Sequence, residues 1–211
     1  MGLNHPAFLI LSVGLLYILG FGGLSLLRRQ GLSMRFAIES LIVTGLGAAL
    51  TFAYPRFPPL LFLIVLYLVT MRVRLLTDLA NAFLARKNFP RAQATYRLAL
   101  RLWPDAVSRQ IVLINRGVAE LRAAEPETAY TTLTEALGNQ EFKIGAHYLS
   151  AGYYNLGLAA RRTGHEAEAI RHFNEAIDAL PHSIYAQAAR RALKEHPSKQ
   201  EPQSTDITDA R

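Results

Sequence analysis

The chain has 211 residues, enough for one ordinary domain or for a membrane anchor joined to a small one. It has no cysteine, which excludes disulfides, thiolate nucleophiles and cysteine-bound zinc or iron–sulfur centres. The formal net charge of +7 invites a nucleic-acid partner, but residues 1–72 hold five Arg and one Glu (net +4), and residues 73–211 hold 18 Lys or Arg against 15 Asp or Glu (net +3). Over half of the excess therefore lies in the apolar part, and no basic run of nucleic-acid type follows it, so nucleic acid is not an expected partner.

Residues 7–27 carry no charge over 21 positions. An apolar helix needs about 20 residues to cross ~30 Å of hydrocarbon, so this is a first membrane span. A cleaved signal peptide is the competing reading, but residues 1–6 hold no Lys or Arg and no small-x-small site precedes Arg28. Residues 36–53 form a second span and 57–72 a third, shorter one, which needs Arg72 and Arg74 to snorkel to the headgroups. Arg28, Arg29 and Arg35 follow span one, and Arg72 and Arg74 follow span three. The opposite side holds Arg56 and the N-terminal amine. The positive-inside rule then places the N-terminus outside and everything after residue 72 in the cytoplasm, as for a cell inner membrane or its equivalent.

Glu39 is the one acid before residue 72. An intramembrane carboxylate can be a proton or ion site. The plainer expectation is an interfacial pair with Arg35, four residues earlier on the same helix face. Gly45, Gly47, Ala48 and Ala49 form a small-residue patch suited to close helix contact. From Leu60 to Phe89 there is no Gly or Pro, so the third span and the next helix are expected to be one continuous helix over 60–86. That helix would hold whatever follows at a fixed angle to the membrane.

After residue 72 the sequence repeats itself. Residues 150–183 read SAGYYNLGLAARRTGHEAEAIRHFNEAIDALPHS, with Leu156, Gly157, Gly164, Ala169, Phe173, Ala176 and Pro181 at fixed spacing. Ala92, Tyr96, Ala99 and Pro104 repeat the second half, and counting back puts that copy at 73–106. Gly117, Ala129, Leu133 and Ala136 mark a third copy at 110–143. These residues resemble the tetratricopeptide repeat (TPR), a helix pair of 34 residues. Arg116, Glu141 and Ala160 depart from its pattern. The resemblance covers 73–183, implies an α-solenoid of three helix pairs there and says nothing about the first 72 residues. With the three spans before it, the expected fold is all-α, N-terminal transmembrane helices followed by the solenoid. Pro90 and Pro126 suit the first turns of helices. Residues 184–196 read as a capping helix, with Ala188, Ala189, Ala192 and Leu193 available to cover the last repeat. Residues 197–211 lack periodic apolar positions and read as a disordered tail.

The resemblance further implies a groove lined by the first helix of each pair. Its candidate protein-binding residues are Asn81, Leu84, Ile114, Val118, Leu121, Tyr154, Leu158 and Arg161. Some TPR grooves clamp a terminal carboxylate with Lys and Asn. Asn81 and Asn115 fit that pattern, but Thr77, Ala151 and Asn155 stand where the basic residues belong, which argues against it. The stretch 111–121 is apolar nearly all round. Either an apolar or amphipathic partner helix fills the groove, or the register of this repeat is shifted.

No catalytic set is present: HExxH, GxxxxGK and GxSxG are all missing. The six His are His5, His147, His165, His172, His182 and His196, and no two on one helix have ligand spacing; His172 is expected to face solvent. No enzyme activity, cofactor or metal is expected. The reading is a non-catalytic, membrane-anchored scaffold or accessory subunit, with integral membrane subunits as partners. A transient assembly factor for a photosynthetic or respiratory membrane complex is the alternative.

Overall fold

A computed structural model of the chain describes residues 5–27, 34–138 and 144–195. Arg28, Arg29, Glu141, His196 and the tail at 197–211 lie outside the described residues. Those described form α1 (Pro6–Leu27), α2 (Met34–Ala53), α3 (Pro59–Thr70), α4 (Arg72–Ala85), α5 (Phe89–Arg101), α6 (Ala106–Arg122), α7 (Pro126–Gly138), α8 (Ala146–Arg162), α9 (Glu166–Ala179) and α10 (Ile184–Glu195).

The first three helices pack on one another because small residues let them approach. A Cβ on Gly14 would lie 2.3 Å from the Thr44 side chain, and one on Gly47 would lie 2.7 Å from the Phe62 ring. Ile10, Tyr17, Ala48, Phe62 and Leu66 fill the shared core. Only half of the small-residue patch serves this contact. Gly45 and Ala49 point away, and nothing lies within 4 Å of a Cβ built on Gly45. The outward faces carry Leu9, Leu16, Leu19, Leu41, Leu46 and Leu60, all exposed.

α1 and α2 are long and apolar enough to cross a membrane. α3 has 12 residues, about 18 Å at 1.5 Å per residue. The continuous helix expected over 60–86 does not form: α3 and α4 meet at Met71 with a bend of 71°. The expectation failed because it considered only Gly and Pro as helix breakers. The bend coincides with side-chain bonds of Arg72. Its guanidinium donates to the Val69 carbonyl at 2.7 Å and reaches across to the Leu102 carbonyl at 3.2 Å. A side chain that competes for ladder carbonyls is a recognised cause of a kink. Met71 itself takes φ −99° and ψ 8°.

Helices α4 to α9 form three antiparallel pairs stacked in tandem, an α-solenoid of TPR type. The same four positions build each pair. Ala80 faces Ala92, Tyr96 and Ala99; Gly117 faces Ala129, Leu133 and Ala136; Gly157 faces Ala169, Phe173 and Ala176; all are buried. A Cβ on Gly117 would meet Leu133 at 2.5 Å, and one on Gly157 would meet Phe173 at 2.7 Å. The large residue thus fills the space that the small one leaves. α6 and α8 start at Ala106 and Ala146, four residues before the repeat starts read at 110 and 150. Each of these helices therefore carries an extra turn at its front, drawn from residues between the repeat copies. α10 closes the array through Ala186, Ala189 and Ala192, with Ala188 only half-buried. Ser183 caps α10: its Oγ accepts from the Ala186 amide at 2.9 Å and bonds Ser150 Oγ at 2.8 Å.

The turn inside each pair is the same left-handed cap. Asn88, Glu125 and His165 donate their amides to the carbonyls of Phe83, Glu120 and Ala160 at 2.9, 2.9 and 2.8 Å. The residue before each has positive φ: Lys87 at 57°, Ala124 at 62° and Gly164 at 85°. Only the third is glycine, the residue that tolerates this conformation. Left-handed backbone costs an L-residue roughly 1–2 kcal/mol, partly offset by the entropy glycine loses on folding. Lys87→Gly and Ala124→Gly should each stabilise the array by about 0.5–1 kcal/mol, and Gly164→Ala should destabilise it by a similar amount. Denaturation of the full chain followed by circular dichroism measures the signs.

Candidate protein-interaction site

The structure assigns most of the eight groove candidates to internal contacts. Leu84 is buried between α4 and α5, and Ile114 and Leu121 lie in the core shared by α6, α7 and α8. Asn81 accepts a hydrogen bond from the Tyr96 hydroxyl at 2.5 Å. Tyr96 is fully buried, and burial pushes its phenol up to about 12, so it remains a neutral donor. Arg161 lies over the Phe173 ring at 4.7 Å, donates to the Ala192 carbonyl at 3.2 Å and pairs with Glu166 at 3.3 Å. Those contacts pin α10 and the last turn of α8. Val118, Tyr154 and Leu158 are half-buried. Tyr154 lies near Phe173 and Tyr185, with ring centroids 6.0 and 6.1 Å away, and burial raises its phenol.

The apolar α6 needs no outside partner to explain it. As the middle first-helix it is covered by α4, α5, α7 and α8 of the same chain. Its buried residues include Val112, Leu113, Ile114, Gly117, Ala119 and Leu121. The Asn residues at carboxylate-clamp positions are also occupied. Asn115 Nδ2 donates to the Ile111 carbonyl at 2.8 Å, and Asn155 Nδ2 to the Ala151 carbonyl at 2.7 Å.

A second constellation joins the repeats to the apolar helices. Glu39 pairs with Arg35 at 2.9 Å, as its helix spacing suggests. It also receives a two-pronged contact from Arg72: NH1 to Oε2 at 2.6 Å and NH2 to Oε1 at 2.8 Å. Both arginines then reach the turn between α5 and α6. Arg72 Nε donates to the Leu102 carbonyl at 3.2 Å, and Arg35 NH1 to the Pro104 carbonyl at 3.3 Å. One carboxylate so ties together α2, α4 and the first repeat's last turn. Sequence reasoning found the Arg35 half through local spacing and missed the Arg72 half, which spans 33 residues. The available signal was that a lone acid shared its segment with several arginines.

His172 corrects an expectation: it is buried, not solvent-facing. Its ring stacks on Tyr153 with centroids 6.3 Å apart, and Nδ1 lies 2.7 Å from Glu175 Oε2. The extra turn of α8 lengthens that helix but leaves its repeat register intact, and Tyr153 covers the imidazole from across the pair. His165 stacks on Tyr130, whose hydroxyl donates to Glu168; that bond holds the Glu168 carboxyl below its ordinary range and raises the Tyr130 phenol. These histidines are used in packing and capping. Among the described residues, no three His, Asp or Glu stand close enough to hold a metal.

Helix pairs stacked in tandem with small-to-large packing are the architecture of an α-solenoid. Residues 150–183 match the tetratricopeptide repeat family. Among similar solved structures is the Sgt2 TPR domain from Aspergillus fumigatus, 25% identical, covering 66% of this chain and 91% of that one, with a TM-score of 0.49. No curated protein matches the chain.

Proposed function

We propose that this chain is a non-catalytic, membrane-anchored scaffold, an accessory subunit whose repeats bind a protein partner within a larger membrane complex. The observation that carries the reading is the Glu39–Arg35–Arg72 junction, which fastens the first repeat to the ends of the apolar helices. A repeat surface held there meets partners that are themselves at the membrane. The outward leucines of α1, α2 and α3 support the anchor, since a soluble protein rarely exposes so continuous an apolar surface. Arg35, Arg72 and Arg74 at one end of the bundle support an N-terminus outside and repeats in the cytoplasm. The 12-residue α3 crosses only with flanking arginines at the headgroups or with local thinning.

The partner surface is Val118, Tyr154 and Leu158, and its occupant is an apolar or amphipathic helix. Mild detergent extraction followed by native electrophoresis tests both halves. The chain should migrate in stoichiometric amount with a mature complex, and Tyr154→Glu with Leu158→Glu should release it while thermal melting stays that of a folded array. Release accompanied by unfolding would make these residues ordinary core. Migration alone in every case would end the subunit reading, and migration only with incomplete complexes would establish the assembly-factor alternative.

A further inference from the structure

The turn between α5 and α6 carries Trp103, the single tryptophan of the chain, and it is 78% exposed. Its backbone is left-handed, with φ 50°. Trp103 follows the last residue of α5 by two positions, the place where helices commonly take glycine, and Pro104 comes next with no amide to complete a cap bond. A bulky side chain at positive φ is a true outlier, and among the described residues the indole is left largely exposed. The residues on either side are fixed: the Leu102 carbonyl by Arg72 and the Pro104 carbonyl by Arg35. Arg35 lies in the first turn of α2, and Arg72 follows the end of α3. The turn is therefore locked to the rim of the apolar bundle. Arg97, Leu98 and Arg101 of α5 are exposed beside it.

We infer that the α5–α6 turn is a lipid-contacting foot, with the Trp103 indole seated in the headgroup layer of a bilayer that contains anionic lipid. An indole has a large apolar body and one N–H donor, which suits the boundary between acyl chains and water. Arg97 and Arg101 supply positive charge next to it for lipid phosphates. The left-handed backbone then has a use, because it turns the side chain out from the helix end. The foot would give the repeat domain a second attachment beyond the junction and hold α4 and α5 close to the surface. This inference rests on the reading that α1–α3 cross the membrane.

Because Trp103 is the only tryptophan, the full chain reports on it without a label. The chain is placed in nanodiscs of phosphatidylcholine and phosphatidylglycerol, and its fluorescence is measured with lipids brominated near the headgroup end or the middle of the acyl chain. The expected result is blue-shifted emission, most of it lost to the shallow bromines, with little quenching by aqueous iodide. A second chain, Trp103→Phe with Leu16→Trp, puts the probe on the outward face near the middle of α1, where Leu16 is 69% exposed. If that probe is quenched by mid-chain bromines while Trp103 is insensitive to brominated lipid, the foot does not exist and the spanning reading stands. If neither probe responds to brominated lipid, the spanning reading fails and the foot with it.

Discussion

Replacing Phe173 with alanine is expected to destabilise the repeat domain by about 3–5 kcal/mol, a large part of the 5–15 kcal/mol typical of a domain. The ring is fully buried, sits where Gly157 leaves room, and carries the Arg161 guanidinium on its face at 4.7 Å. Alanine would leave a cavity at the α8–α9 contact and deprive Arg161 of the ring that supports its bond to α10. In a stacked array each pair is stabilised by its neighbours, so the loss should open the C-terminal end first. The reverse error is also informative. Gly157→Ala would press a methyl to 2.7 Å from the ring and 3.2 Å from the Ala169 carbonyl, which is backbone. For Gly117→Ala the three nearest atoms are all of the Leu133 side chain, Cγ at 2.5 Å and the two Cδ at 2.8 and 3.2 Å. Overpacking costs typically 1–3 kcal/mol, and the Gly157 variant should lie above the Gly117 variant because a ring and a carbonyl yield less than a leucine side chain. Urea denaturation of the full chain in detergent, followed by circular dichroism, gives the order. A Phe173→Ala midpoint close to that of the parent would show that the ring does not key the pair.

What could be read in the sequence follows the range of each interaction. The repeat is set by short-range spacing: a small residue in the first helix, then a small, a large and a small one in the second. Gly157, Ala169, Phe173 and Ala176 show it directly, and the structure packs each set together. The front turns of α6 and α8 were hidden because the repeat pattern has no position for them. The Met71 bend was hidden for a different reason. It lies beside guanidinium bonds to Val69 and Leu102, with no Gly or Pro at the break. The groove list inherited its geometry from the resemblance, which cannot say how deeply a neighbour covers each residue. Leu84, Ile114 and Leu121 proved to be core, while Val118, Tyr154 and Leu158 kept some open surface. Trp103 matched no motif, and only its backbone angle and fixed neighbours distinguish it.

Glu39→Gln should uncouple the repeats from the apolar helices while both remain folded. The two bodies have separate cores: Ile10, Ala48, Phe62 and Leu66 on one side, and Ala80, Ala92, Tyr96 and Ala99 on the other. Since the helix is broken at Met71, a shared rod does not join them. The charged junction bridges them: Arg35 and Arg72 reach from Glu39 to the turn between α5 and α6. Glu39 pairs with two guanidiniums at once, through contacts of 2.6 to 2.9 Å to Arg72 and Arg35. Glutamine keeps one acceptor but turns an N–H₂ toward a cation and leaves both arginines uncompensated. Hydrogen bonds to charged groups contribute about 1.5–3 kcal/mol each, and the 24% exposure of both Glu39 and Arg72 side chains places this pair toward the lower end. That is too little to unfold either body and enough to free Arg72 from the Leu102 carbonyl, which it reaches only while its other nitrogens are held. The absence of cysteine makes the consequence measurable, because paired labels can be placed without background. Tyr54 and Ala94 are both exposed, one beyond the end of α2 and one on α5. Spin labels on Tyr54→Cys and Ala94→Cys should give one narrow distance distribution in the parent and a broad one with Glu39→Gln, at unchanged helicity. Arg72→Gln should broaden it similarly, whereas Arg74→Gln should not, since Arg74 is exposed and pairs only loosely with Asp78 at 4.0 Å. A narrow distribution in all three variants would mean that packing alone fixes the repeats, and the junction would lose its place in the proposed function.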